Sequence, residues 1–295
     1  MPKAPAAVPA AEVWRLPEQD VRAGRRAVAW TVGPDGRLTV LLVDGGQPGL
    51  VLPPFDGESV TVTDRGERRR SLVQVPVRPG HLALLPGHRL LVAAHRSGRG
   101  DDDEAPNAVV LDDEGRPVRD LSLGDALEAL VTDRDGRIWM AFGDEGVYGD
   151  HPLTRPGLIG TDAGGRVVWR PGKGELPEWP LEGLAAATEG KAAWLAWYSE
   201  ELVGFLTRID PAAGTSRSVP SPFREPLGFA ITGDRGVFLT RGGELAWYGR
   251  TADGRWAEQR RGVLRLPGAL DQERAYGRDG VLWFRAGNAW YRVEA

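Results

Sequence analysis

The stretch LEALVTDRDGRIWMAF, Leu127–Phe142, decides how the rest of the chain is read. Two apolar runs flank an Asp/Gly turn, and both runs are too short and too rich in β-formers for a helix. Gly and Asp tolerate the positive φ that a tight reversal needs, so the stretch predicts a strand, a turn and a second strand. The same pattern recurs as AVAWTVGPDGRLTVLLV (27–43), HLALLPGHRLLVAAH (81–95), EGLAAATEGKAAWLAWY (182–198), GFAITGDRGVFLT (228–240) and QERAYGRDGVLWFRA (272–286). A second hairpin follows each of the first five, at 59–75, 108–123, 158–170, 205–219 and 244–259. Two hairpins every ~40–55 residues is the period of a four-stranded propeller blade.

The sixth unit stops one strand short. After VLWFRA comes NAWYRVEA and then the end of the sequence, while AEVWRLP (11–17) near the N-terminus looks like the fourth strand RVVWRPG (166–172). The expectation is an all-β, six-bladed β-propeller of four-stranded antiparallel blades, closed by the N-terminal strand pairing with the C-terminal blade. Residues 1–10 are read as a disordered extension and 11–295 as one domain. Trp139, Trp194 and Trp283 fall at similar places in second strands, and AWY recurs at Trp247 and Trp290. Either these rings fill gaps between neighbouring sheets or they form an aromatic platform for a ligand.

Composition bounds the function. The chain has 295 residues, 41% hydrophobic and 26% charged, with a net charge of −4 and interspersed signs. This argues against nucleic acid or an anionic membrane as partner. With no cysteine, disulfides, thiolate catalysis and zinc–thiolate sites are excluded. No window reaches the ~18–20 apolar residues of a membrane helix, and the Pro-rich N-terminus lacks the apolar core of a secretory signal. A cytoplasmic monomer is expected.

Strand order puts the second-to-third connections (44–58, 96–107, 143–157) and the crossovers, including 171–181, at one end of the sheets. The hairpin turns lie at the other. Long loops collect at the first end, which is where a site is expected, with Asp144, Glu145, Tyr148, Asp150 and Trp179 at its rim. DRDGR (133–137) is read as a hairpin turn, since it lacks the later ligands of a calcium loop. DDDE (101–104) is either a cation site or a solvated run. His81 and His95 lie symmetrically about His88, so a tight hairpin brings them together, and His151 falls on a loop of the next unit at the same end. Imidazoles with carboxylates nearby suit a divalent metal or a general base; three unrelated capping histidines are the alternative. Counting back seven places from the residue before each turn glycine selects Glu128, Glu182 and Gln272; the two carboxylates are placed to coordinate calcium or another divalent cation or a cationic ligand, with Gln272 as a ligand-binding residue, or equally all three bond crossover amides.

At these residues the chain resembles six-bladed propellers of the NHL and gluconolactonase-like (SMP-30) type. PLEGLA (180–185) resembles the start of an innermost strand in gluconolactonase-like enzymes, where a carboxylate contacts a divalent metal. That implies a metal role for Glu182 and, by position, for Glu128; Val28, Gly80 and Gly228 stand at the other equivalent places. DGRIWMAF (135–142) is similar to repeats of streptogramin lyases, whose catalytic histidines come late in the chain, whereas all four histidines here fall between 81 and 151. Nucleophile-elbow, phosphate-loop and HExxH motifs are absent. The reading is a soluble propeller binding a small molecule or a protein on its loop-rich face. The alternative is a metal-assisted hydrolase, lyase or isomerase using His81, His95, His151, Glu128 and Glu182.

Overall fold

Three hairpins turn on one device. In DDEGR (112–116), Asp112 Oδ1 accepts the backbone N–H of Glu114 (3.0 Å) and Arg116 (2.9 Å), and Gly115 takes φ +82°. Asp112 N–H donates to Arg116 O at 3.0 Å, so the loop is stitched across its base. Asp133–Arg137 and Asp162–Arg166 repeat the pattern, with Gly136 and Gly165 at φ +81° and +86°. A side chain at these glycines would cost energy, and without the carboxylate the loop amides would lack an acceptor. DRDGR is therefore a turn, and the buried Asp133 carboxylate is further engaged by the Trp139 indole N–H at 3.0 Å.

The structure, a computed structural model, describes residues 6–45, 51–97 and 105–295. It is almost entirely β, in two compact units, Leu16–Arg170 and residues 1–15 with Pro171–Ala295. At the N-terminus lie strands β1 (Ala6–Val8) and β2 (Ala11–Arg15).

The Leu16–Arg170 unit begins with a short helix, α1 (Glu18–Arg22), followed by three antiparallel four-stranded sheets in sequential order. The first is β3 (Arg26–Val32), β4 (Leu38–Val43), β5 (Phe55–Thr63) and β6 (Gly66–Val75). The second is β7 (His81–Leu85), β8 (Arg89–Ala93), β9 (Ala108–Leu111) and β10 (Pro117–Leu121). The third is β11 (Leu127–Thr132), β12 (Ile138–Phe142), β13 (Leu158–Thr161) and β14 (Val167–Trp169), with α2 (Asp144–Val147) between β12 and β13. Strands β4, β9, β12 and β13 are buried throughout, which is why they read as unbroken apolar runs. Leu41, Leu72, Leu82 and Val92 join the first two sheets; Leu91, Val110, Met140 and Phe142 join the second and third. The connection expected over 44–58 is shorter, because β5 already begins at Phe55.

The other unit holds β15 (Pro180–Glu189), β16 (Ala192–Ser199), β17 (Gly204–Asp210) and β18 (Thr215–Pro220), then β19 (Gly228–Thr232), β20 (Arg235–Leu239), β21 (Glu244–Arg250) and β22 (Trp256–Leu264). Strands β23 (Leu270–Arg278), β24 (Val281–Ala286) and β25 (Ala289–Glu294) follow, and with β2 and β15–β18 they form one eight-stranded sheet in the order β18-β17-β16-β15-β23-β24-β25-β2. The expected pairing of the N-terminal strand is present: Ala11 faces Arg292 and Trp14 faces Trp290, with ring centroids 5.0 Å apart. Small residues let the first strands of these sheets converge. A Cβ on Gly277 would sit 2.6 Å from Ala187 Cβ, and one on Gly228 would sit 2.5 Å from Ala275 Cβ. There β15 and β23 touch closely enough for a two-residue parallel bridge.

Of the two readings of the tryptophans, packing is what is found. Trp139, Trp194, Trp283 and Trp290 are buried, and Trp139 lies over Gly160, where any Cβ would meet its ring at 2.3 Å. The disordered extension is corrected over Ala6–Val8, which runs parallel to Gly262–Leu264 because Val8 finds a buried seat there. Residues 1–5 lie outside the described residues, as does DDDE (101–104). Among the described residues no helix is long and apolar enough to cross a membrane.

Two outcomes follow for the turns. Asp133→Ala, which strips four donors of a buried acceptor, lowers stability by about 3 kcal/mol in urea unfolding. The Arg116 amide, with smaller help from its guanidinium and the Glu114 amide, holds the Asp112 carboxyl below its ordinary 3.8 against a partial desolvation penalty. Its stabilisation is complete above that ordinary value and is lost as pH falls through the lowered one. Asp112→Asn accordingly shows a shallower acid limb of denaturant midpoint against pH than the wild type.

Candidate functional site

The expected meeting of His81 and His95 occurs, on a backbone oxygen. His81, buried at the start of β7, donates from Nε2 to Leu127 O at 2.7 Å, and His95, just after β8, donates from Nδ1 to the same oxygen at 2.7 Å. A carbonyl only accepts, so each ring must present N–H there, which sets the tautomer. The Leu127 amide returns a bond to His95 O at 2.8 Å. Leu127 thus anchors the crossover into β11 with both of its backbone groups.

The residues around it are held as tightly. Ala126 is buried at φ +52°, a conformation that costs an L-residue energy, and its carbonyl accepts Gly143 N–H at 2.8 Å. Asp125 accepts Ser97 N–H at 2.8 Å and Arg96 Nε at 3.2 Å; Arg96 also pairs with Glu145 in the first turn of α2. Asp144 accepts the Glu145 amide at 2.7 Å, Asp150 pairs with Arg155 at 3.2 Å, and the Tyr148 ring is 64% exposed. Glu128 turns one carboxylate oxygen towards His95 Nε2 at 3.6 Å, with both side chains part-exposed. A part-exposed imidazole between a carbonyl and a carboxylate is the arrangement in this unit nearest to a general base.

His151 takes other partners. Its Nδ1 accepts Leu153 N–H at 3.2 Å, so its proton sits on Nε2, facing Ser122 Oγ at 3.1 Å, and its carbonyl caps the Thr154 turn. This is a buried turn-organising residue.

The count-back that grouped Glu128, Glu182 and Gln272 does not survive the strand registers. Trp139 opposes Val131 and Trp194 opposes Ala187, so these mark the same rung. From there, Leu127 matches Gly183 and the bulged Glu128 matches the bulged Leu184; Glu182 corresponds to Ala126. The offset arises because the Asp133–Arg137 turn is longer than the two-residue Gly190–Lys191 turn. Gln272 lies in a wide bulge, 271–274, opposite Arg285 alone. There it bonds backbone, with Nε2 donating to Leu270 O at 3.3 Å and its carbonyl accepting Arg241 Nη1 at 2.5 Å. Burial pulls the neighbouring Arg285 guanidinium below its ordinary value, against the pull of Asp271 and Glu273. Among the described residues no three His, Asp or Glu side chains gather as a metal-binding group.

In the unit that holds β15, Trp179 is 56% exposed one residue before Pro180, which pairs with Ser199. The turn after Ser199 presents two more apolar side chains, Leu202 (51% exposed) and Val203 (38%). Leu202 is held at φ +60° with its amide on Ser199 O at 2.9 Å. Sequence reasoning found Trp179 and missed Leu202 and Val203; the available signal was an apolar pair inside the polar turn SEELVG (199–204).

The tautomers are open to measurement. In long-range 1H–15N spectra recorded at alkaline pH, His81 and His151 are protonated on Nε2 and His95 on Nδ1. Replacing His81 by Phe leaves Leu127 O one donor short and lowers stability by about 1–3 kcal/mol.

No protein-family model and no curated protein matches the chain. Solved structures do. It is similar to the β-propeller domain of Cps50 (Swd1) from Myceliophteria thermophila, at 12% identity over 91% of this chain and 83% of that one, with a TM-score of 0.50. It is also similar to a chain of the mitotic checkpoint complex, at 12% identity over 92% and 77%, TM-score 0.53. A chain in the complex of KlAtg21 with the coiled coil of AgAtg16 matches at 8% identity over 88% and 78%, TM-score 0.56. Likeness at such identity carries the fold and nothing of function: the protein is a β-propeller.

Proposed function

We propose that this β-propeller is a binding protein rather than an enzyme, and that it engages a protein partner at the Trp179 end of the β15–β18 sheet. One observation carries the reading: Trp179, Leu202 and Val203 are exposed together about one paired rung, Pro180–Ser199, with Leu202 in a strained conformation. Aromatic and branched apolar side chains presented this way are the usual anchors of a protein interface. Glu178, Glu200 and Glu201 flank them in sequence, so the partner offers an apolar anchor beside basic residues. The bonding of His81, His95 and His151 supports the same reading, since each ring serves the scaffold. The six four-stranded sets of strands are read as six blades, β2 completing the last.

A metal-assisted hydrolase, lyase or isomerase is the second reading, favoured by the 3.6 Å approach of His95 to Glu128. A cation there would draw on Glu128 and the His95 Nε2.

Native-extract pull-downs compared between wild type and Trp179→Ala/Leu202→Asp decide the first reading: a partner retained by wild type is lost by the variant, while equal retention overturns it. Metal analysis of untagged protein decides the second: a stoichiometric divalent cation lost in Glu128→Gln supports the enzyme, and its absence with a chelator-insensitive Tm counts against it.

A further inference from the structure

In the unit that holds β15, one face of the β15–β18 sheet carries a basic rung near its hairpin turns. Trp194 opposes Arg208 and Arg208 opposes Arg217, so one indole and two guanidinium groups project from the same side. The β19–β22 sheet turns Arg250 and Trp256 towards them, an opposed pair at the ends of β21 and β22. The Arg250 guanidinium is held between two rings, its Cζ 5.7 Å from the Trp194 centroid and 5.4 Å from that of Trp256. Arg217 reaches the same place from β18. Its Nη2 is 3.3 Å from where a Cβ on Gly254 would stand, and Gly254 lies in the turn that joins Arg250 to Trp256.

Like charges gather so closely only at a cost, and the carboxylates nearby are already in use. Glu189 accepts the Gly233 amide on one oxygen and the Trp194 indole N–H at 3.3 Å on the other, with Arg208 Nε at 3.8 Å. Asp210 lies 3.6 Å from Arg208. Asp253, in the turn, is engaged by Thr251 and, at 3.3 Å, by Arg255. Among the described residues no carboxylate pairs with Arg217 or Arg250, and the buried Arg250 Nε and Trp256 Nε1 have no hydrogen-bond acceptor. An uncharged side chain between the two indoles would serve packing. A guanidinium there is a planar fork of donors, immobilised by its flanks and turned to an acceptor that the chain does not supply.

We infer that the cleft lined by Trp194, Arg208, Arg217, Arg250 and Trp256 binds a phosphate group carried by a small molecule. Arg250 is the fork fixed before the ligand arrives, Arg217 the exposed second donor, and Arg208 a third positive charge. Against Glu189 and Asp210 the three arginines leave a positive excess. A tetrahedral oxyanion presents oxygens to more than one guanidinium at once, which suits this arrangement better than a single carboxylate does. The cleft lies at the opposite end of β15 and β16 from the Pro180–Ser199 rung, so it does not rest on the protein-partner reading.

The probe is inorganic phosphate, titrated by isothermal calorimetry at low salt into the full chain, residues 1–5 included. Sodium chloride and sodium acetate at matched ionic strength are the references. Phosphate binds saturably at one site with a Kd of about 1 mM or tighter, and the reference ions do not. Arg250→Met keeps an unbranched side chain between the indoles and weakens phosphate binding about tenfold or more; Arg217→Gln weakens it about three- to tenfold. Trp179→Ala binds phosphate as the wild type does, which separates this site from the partner surface. Absence of saturable phosphate binding, acetate binding as tight as that of phosphate, or unchanged affinity in Arg250→Met or Arg217→Gln overturns the inference. Should Arg250→Met lose cooperative unfolding, Arg217→Gln, at an exposed position, decides alone. Free phosphoserine binds as well as phosphoserine within a pentapeptide; tighter binding of the peptide overturns the small-molecule assignment.

Discussion

A strand buried on both faces can satisfy its polar backbone only through its ladder and at its ends, and this constraint organises the molecule. Strands such as β4, β9, β12 and β13 expose no side chain to water, so turns and crossovers must be sealed by side chains that reach the main chain. At one end of the Leu16–Arg170 sheets the sealing groups are Asp112, Asp133 and Asp162, each with a left-handed glycine. At the other they are His81, His95, Asp125 and the buried Asn107, whose amide donates to Gly124 O at 2.6 Å and accepts Leu123 N–H at 2.8 Å.

That division of labour explains why a chain with suggestive chemistry in its sequence shows so little free chemistry in its fold. Histidines and carboxylates spaced as for a metal or a general base are also what a crossover needs. An imidazole can donate and accept: at Leu127 two rings donate to one carbonyl, and at His151 one nitrogen accepts a backbone N–H while the other faces a hydroxyl. Among the described histidines, the contact that escapes this account is His95 with Glu128, where the second ring nitrogen stands beside a carboxylate at a part-exposed position.

The exposed groups tell the complementary story. Trp179, Leu202 and Val203 are apolar side chains that the packing leaves outside, and it is its place on the 171–181 crossover that sets Trp179 apart from the tryptophans within strands. Trp139, within β12, lies over the bare Gly160 of the neighbouring strand, whereas Trp179, ahead of β15, is open to solvent.

Read alone, the amino-acid sequence determined what is local. Alternation of short apolar runs with D-x-x-G-R turns dictates hairpins, because turn geometry and strand period are decided within a few residues, and the recurrence of those hairpins dictates a propeller. It also anticipated the pairing of Ala11–Arg15 with β25 and the meeting of His81 with His95. Tertiary structure decided what depends on register and on distant backbone. Turns of unequal length, and the wide bulge at 271–274, shift the ladders, so equal counts from a glycine do not reach equal rungs. Which nitrogen of a histidine holds its proton depends on an oxygen 32 or 46 residues away. Whether Ala6–Val8 is ordered depends on the bare backbone of Gly262, where a Cβ would lie 2.3 Å from Val8 Cγ2. Such outcomes turn on a gap, a bulge or an acceptor contributed by another part of the chain, and no pattern within a single stretch of residues carries them.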